Sequence, residues 1–357
     1  MRFALMVALP ALAVAACLGS AWHRAQATGD GKWADGPWPA AALPTAAVGD
    51  GDARPDAQAR PAQPGGPLVL AHRGASGHLP EHTLAAYTLA WAQGADFLEP
   101  DVVMTRDGVA ICAHDVTMER VTDVAERFPD RARQDGHWYW ADFTLDEVRS
   151  LQVVHQGVGD AVPTFESFLR LVDRLNAITG PDGRPAVGVI PEPKRPAFHR
   201  SLGLDVEGAV VGLLARFGYA SAEDPAIVQC FELDALERLH DQGCALRLVW
   251  LVDEPPDQAE LRRAAGFCHG LGPSRWLLED RDSSRPLPLL EQARALGLAL
   301  YPYTFKDEPQ AMARFFHQHG VDGLFTDYPA AGRRAALQAR QDAGPDGTNR
   351  PAARSDR

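Results

Sequence analysis

Between Leu68 and Tyr328, short runs rich in branched and aromatic residues alternate with stretches of helical periodicity. No other feature constrains the chain as tightly, because strand and helix in alternation bury their apolar faces best around a mainly parallel sheet. The β-type runs are Leu68–Ala71, Asp96–Met104, Val109–Ala113, Ala186–Ile190, Ala226–Phe231, Leu246–Val252, Phe267–Leu271, Leu298–Tyr303 and Gly323–Phe325. Helical spacing of apolar residues appears in Thr83–Gln93, Thr164–Ala177, Val206–Phe217, Leu233–Gln242, Pro286–Leu296 and Gln310–His319. Eight or nine strands over about 260 residues fit a closed (β/α)8 barrel better than an open sheet. The expectation is an α/β chain with one TIM barrel over residues 68–340.

Composition narrows the function. The 35 Lys and Arg against 47 Asp and Glu leave a formal charge of −12, which offers no footprint for a phosphate backbone and argues against nucleic acid as a partner. A small anionic substrate is still allowed, since it feels only the local field of its pocket. With 46% apolar and 23% charged residues, wholesale disorder is excluded. Five cysteines over 357 residues make no disulfide framework. Cys112, Cys230 and Cys244 lie in or beside apolar strands and read as buried free thiols, with a Cys244–Cys268 bridge as the lesser option.

Both ends read differently from the middle. Arg2 followed by the apolar run Phe3–Ala16 has the form of a secretory signal, and the run is too short for a spanning helix. Two cleavage readings compete over residues 1–27. Val14-Ala15-Ala16-Cys17 resembles a lipobox, which would leave a lipidated Cys17 and attach the protein to a membrane, whereas Ala25-Gln26-Ala27 would release it soluble. Either places the protein in the periplasm or cell envelope. Residues 28–67 are rich in Ala, Gly and Pro and poor in branched apolar residues, the composition of a flexible linker. Residues 341–357 read as a disordered tail.

One junction breaks the alternation. Only Thr105-Arg106-Asp107-Gly108 separates the second and third runs, too little for a parallel crossover, so these strands form a hairpin. With Asp107-Gly108 as a two-residue turn, Asp101 falls opposite His114, and Glu99 shares the face of Asp101. The first strand ends in His72-Arg73-Gly74, and the fourth run ends in Pro191-Glu192-Pro193-Lys194. Barrel active sites sit at such C-terminal strand ends. Glu99, Asp101 and Glu192 supply only oxygen, a donor set for a hard cation, Ca²⁺ or Mg²⁺. His72 and His114 can exchange protons near neutrality, and Arg73 and Lys194 add positive charge. Cation, guanidinium, ammonium and two imidazoles together describe a site that cleaves phosphodiesters. Tyr303 and Phe325 end late strands and can line the pocket through their apolar faces, barrel-core packing being the alternative.

Several stretches carry a resemblance. Ala71-His72-Arg73-Gly74-Ala75-Ser76-Gly77, Pro80-Glu81-His82-Thr83, Glu99-x-Asp101 and His114-Asp115 resemble the glycerophosphodiester phosphodiesterase family. Arg120–Arg133, Gln229-Cys230-Phe231, Pro302-Tyr303-Thr304 and Gly323–Pro329 are similar to its periplasmic bacterial branch. The resemblance implies a TIM barrel with a small insertion after the third strand, here about Asp115 to Pro163. It implies a divalent ion, usually Ca²⁺ in that branch, on Glu99, Asp101 and Glu192, with His72 and His114 as acid and base. The substrates implied are glycerophosphodiesters such as glycerophosphocholine and glycerophosphoethanolamine, cleaved to sn-glycerol 3-phosphate and an alcohol. A lysophospholipase D-like activity on the same site, and a surface lipoprotein with a binding role, are the rival readings. His82 reads as structural, and Asp115 as either an orienter of His114 or a loop contact. The aromatic run His137-Trp138-Tyr139-Trp140 fits the core of the insertion better than a roof over the pocket. Segments after the insertion and after Val252 look shorter than in the periplasmic branch, which leaves the rim and headgroup preference open; the sequence does not state the oligomeric state.

Overall fold

The computed structural model describes residues 66–155, 158–178 and 186–342. The expected signal, Cys17 and the expected linker up to residue 65 lie outside the described residues, as does the expected tail beyond residue 342. Among the described residues no helix is long and apolar enough to cross a membrane.

Thirteen strands are described. They are β1 (Leu68–His72), β2 (Phe97–Glu99), β3 (Asp101–Met104), β4 (Ala110–Cys112), β5 (Val153–His155), β6 (Val158–Asp160), β7 (Gly188–Val189), β8 (Glu192–Pro193), β9 (Ile227–Cys230), β10 (Arg247–Val252), β11 (Gly270–Pro273), β12 (Ala299–Leu300) and β13 (Gly323–Thr326). Parallel pairing runs β13–β1–β2–β7 and β9–β10–β11–β12, with β3 beside β8. A parallel bridge from Val189 to Ala226 joins the first set to the second. Hydrogen bonds from Asp322 N to Leu300 O and from Phe325 N to Pro302 O close the ring. Eight staves result, of which the second is β2 with β3, interrupted at Pro100, and the third is β7 with β8, interrupted at Ile190-Pro191. This is the expected TIM barrel.

The staves are buried on both faces, so their sequences read as apolar runs without alternation. Leu70, Phe97, Ile190, Ile227, Val249, Tyr301 and Phe325 fill the barrel interior. The larger core lies between staves and helices. There, helix α1 (Leu84–Ala92) is capped by Thr83, whose Oγ1 accepts from Ala86 N. A later helix, Phe165–Ile178, buries Phe165, Phe168, Leu169, Val172 and Leu175 at helical spacing. Helices not foreseen from periodicity include Pro196–Ser201, Gln258–Ala265 and Pro329–Asp342. The last buries Ala331, Ala335, Ala336 and Ala339, which present too little apolar bulk to mark a stripe in the sequence.

The hairpin is present, but its register differs from the expected one. Asp101 stands opposite Ala113, whose N–H donates to Asp101 O, and not opposite His114. The loop has three residues, Arg106-Asp107-Gly108, between the paired Thr105 and Val109. Gly108 takes φ +79°, the left-handed residue of a three-residue turn, and the Thr105 hydroxyl accepts from Val109 N while donating to Asp107. His114 therefore lies beyond the ladder, and other contacts set its direction.

The segment between β4 and the helix Phe165–Ile178 packs on a core of its own, with Met118, Val124, Trp140, Phe143, Val148 and Val162 buried together with Val103 and Ile111 of the hairpin. Trp140 and Trp138 serve that core, whereas Tyr139 stacks on Phe198. All four cysteines in the described residues are free, so Cys244 and Cys268 form no bridge.

Phe168 is fully buried and its ring centroid lies 4.6 Å from that of Tyr87. Phe168→Ala is expected to destabilise the barrel by roughly 3–5 kcal/mol. Urea unfolding of the variant against the wild type measures this, and a loss below about 1 kcal/mol would contradict the packing described.

Candidate active site

Three carboxylates converge where the second and third staves end. Glu99 and Asp101 are each 1% exposed and Glu192 is 6% exposed. Asp101 and Glu192 are direct neighbours in the β3–β8 register, and His72 faces Glu99 across β1–β2. One oxygen from each carboxylate lies within 4.8 Å of the others.

Two cations offset this buried charge. Arg73 takes φ +57°, which turns its N–H onto Glu99 Oε2 at 2.7 Å. Its guanidinium reaches Glu81 Oε2 through Nη1 at 3.0 Å and lies 3.2 Å from Asp101 Oδ2 through Nε. Lys194 Nζ lies 2.8 Å from Glu192 Oε1 and 3.6 Å from Asp101 Oδ1. His82, at φ +61°, is buried with Nε2 3.0 Å from Asp101 Oδ2 and Nδ1 2.8 Å from the Tyr87 hydroxyl. Burial lowers the pKa of His82. A neutral ring donating from Nε2 to Asp101 and accepting from Tyr87 satisfies all three groups.

The electrostatics follow from burial and crowding. Burial and the Asp101 charge push the Glu99 carboxyl well up, and burial raises Glu192 to about 8 against the pull of Lys194. Asp101 is pushed upward by burial too, but Lys194, His82 and Arg73 hold it well below the usual carboxylate range. Once Glu99 and Glu192 ionise, as a bound cation would require, three acids against two fixed cations leave negative charge to spare. Asp101 Oδ1 and Gln229 Oε1 are buried without a hydrogen-bond partner. Oxygen donors, crowding and an orphaned carboxylate oxygen together suit a hard divalent cation. Glu99, Asp101 and Glu192 would hold it.

The two histidines share a pattern. His72 Nδ1 lies 2.7 Å from Asp327 Oδ1, and Lys306 Nζ pairs with the other oxygen of Asp327. His114 Nδ1 lies 2.7 Å from Asp115 Oδ1, and Arg120 Nε lies 3.0 Å from Asp115 Oδ2. Each ring thus engages a carboxylate through Nδ1, leaving Nε2 for proton exchange. Burial and the Arg73 charge lower His72 to about 4 despite Asp327, which keeps it neutral at pH 7.

Residues 72–331 match the model of the glycerophosphoryl diester phosphodiesterase family. The chain belongs to that family. A glycerophosphodiester phosphodiesterase from Haemophilus influenzae is 31% identical over 324 residues, covering 74% of this chain and 88% of the relative. Its counterpart from Bacillus subtilis is 31% identical over 269 residues, covering 73% and 84%. A phosphodiesterase of Oleispira antarctica, solved with the product sn-glycerol-3-phosphate, shares the fold with a TM-score of 0.58 at 22% identity, covering 75% of this chain and 96% of that one.

Set beside this family member's sequence, the structure brings Glu99, Asp101, Glu192, Arg73 and Lys194 into one cluster, with His72 at its edge. His114 joins through the chain of ion pairs from Asp115 to Arg73. Tyr303 stands partly buried beside Phe231, its hydroxyl donating to Val252 O. Phe325, 2% exposed, belongs to the barrel interior, and the structure places it there rather than on an open pocket wall. Sequence reasoning missed Glu81, Asp327, Lys306 and Gln229 as site residues. Glu81, Gln229 and Asp327 stood inside the motifs that carry the resemblance, which was the available signal; for Lys306 there was none.

Because protonated Glu99 and Glu192 cannot ligate, cation affinity should be weaker at pH 6 than at pH 8, with protons released on binding. Calorimetric titration with Ca²⁺ and with Mg²⁺ across that range checks it, and pH-independent affinity would contradict the carboxylate cluster as the site.

Proposed function

We propose that this chain hydrolyses glycerophosphodiesters such as glycerophosphocholine to sn-glycerol 3-phosphate and an alcohol, with Ca²⁺ as the resident cation. The observation that supports the reading best is the meeting of three buried carboxylates, Arg73 and Lys194 beside two carboxylate-tethered histidines. A bound divalent cation would supply charge neutralisation to phosphoryl oxygens. The chain's own residues do the rest.

His72, held neutral with Nδ1 on Asp327, takes a proton at Nε2 from a free glycerol hydroxyl of the substrate. That hydroxyl oxygen bonds to phosphorus as the bond to the leaving alcohol breaks, and His114 gives a proton from Nε2 to the departing alkoxide. Water then opens the resulting cyclic phosphate, with the two histidines exchanging roles. Arg73 and Lys194 stabilise the charge gathering on the phosphoryl oxygens and orient the diester. Tyr303 lines the substrate side. The N-terminal run and Cys17 support export to the periplasm or envelope, with lipid attachment through Cys17 as the anchored form.

Release of glycerol 3-phosphate from glycerophosphocholine tests the reading. Activity should vanish with EDTA, return with Ca²⁺, and fall at least about 100-fold in His72→Ala, in His114→Ala and in Glu99→Ala. Near-wild-type turnover in either histidine variant would overturn the acid–base assignment. Turnover of lysophospholipids alone would move the substrate to the rival class.

A further inference from the structure

Arg120 belongs to the segment that packs on its own core beside the barrel, not to a stave. Its Nε lies 3.0 Å from Asp115 Oδ2, and its Nη2 donates to Glu81 Oε1 at 2.8 Å. The second oxygen of each carboxylate is already engaged at the site. Asp115 Oδ1 holds His114 Nδ1 at 2.7 Å, and Glu81 Oε2 accepts from Arg73 Nη1 at 3.0 Å. An unbroken run of side-chain contacts therefore leads from His114 through the alternating charges of Asp115, Arg120, Glu81 and Arg73, and Arg73 continues it to Asp101 at 3.2 Å.

The position of Arg120 is fixed from behind. Val121 N and Thr122 N both donate to Met118 O, and Met118 is fully buried in the core of the segment. The Trp140 indole donates to Asp115 O, tying the loop that carries His114 to the same core. A guanidinium is a planar fork, suited to bridging two carboxylates from two of its edges, which an ammonium cannot reproduce. Removing it would leave two carboxylates facing each other across the vacated space. Their repulsion would draw His114 one way and Arg73 the other.

We propose that Arg120 is a positioning residue for the phosphodiesterase reaction: one guanidinium holds the Asp115–His114 and Glu81–Arg73 pairs together and so sets both groups relative to the three carboxylates. The inference rests on the function proposed above. Arg120 is 56% exposed, so its ion pairs contribute little to stability, and its effect lies in the rate.

The test uses the purified full chain with Ca²⁺ and glycerophosphocholine, comparing Arg120→Ala, Arg120→Lys, Asp115→Asn and the Arg120→Ala/Asp115→Asn double variant. Expected for Arg120→Ala is a loss of ~10–100-fold in kcat, as is usual when a partner of a functional group is removed. KM should stay within about 3-fold and the melting temperature within about 2 °C. Lysine should not rescue, and the double variant should be no slower than the slower single variant. Long-range ¹⁵N–¹H spectra should show His114 protonated at Nδ1 in the wild type and as a tautomer mixture in Arg120→Ala. Wild-type kcat in Arg120→Ala, rescue by lysine, losses that multiply in the double variant, or an unchanged His114 spectrum would each overturn the proposal. If the wild type itself failed to turn over glycerophosphocholine, the substrate reading would fall, and the spectra would still decide the role of Arg120.

Discussion

Three carboxylates withdrawn from water within 4.8 Å of one another are the arrangement on which the rest of the site depends. Alone, such a cluster would take up protons or push apart. The fold counters this from several sides, with a left-handed Arg73 that gives both its backbone N–H and its guanidinium, Lys194 from the neighbouring stave, and His82 behind Asp101. With all three acids ionised the compensation stops short of neutrality, and that remaining negative charge suits the cluster to a divalent cation.

The histidines are built on the opposite principle. Each is tethered by its own acid, and each acid by its own base, Asp327 with Lys306 and Asp115 with Arg120. One tether comes from the last stave's end and the other from the segment outside the barrel. The two histidines proposed to exchange protons are thus carried by parts of the chain that pack on different cores.

Much of this was legible in the sequence, for identifiable reasons. Apolar runs bounded by helical stretches mark a barrel whatever its detail, and His72, Arg73, Glu99, Asp101, Glu192 and Lys194 lie at stave ends where the chain itself announces them. The hairpin was equally plain, but not its register. Asp107-Gly108 serves a two-residue and a three-residue turn alike, and the choice lies in the Thr105 side chain and the left-handed Gly108. Partners brought in from afar were not legible. Asp327 stands 255 residues from His72, and no local pattern links them. The aromatic ends of late strands were ambiguous for a related reason, since the sequence does not show that Phe325 lies within its strand while Tyr303 lies beyond the end of its own.

The free cysteines have a consequence for what holds such a barrel together. Cys112, Cys230 and Cys268 are buried, and burial pushes their thiols up, Cys268 to about 12, so little thiolate is available for exchange chemistry. No cross-link among the described residues has to form for the barrel to close. The described barrel thus owes its stability to packing and hydrogen bonding alone, and a reductant should leave the folded form intact.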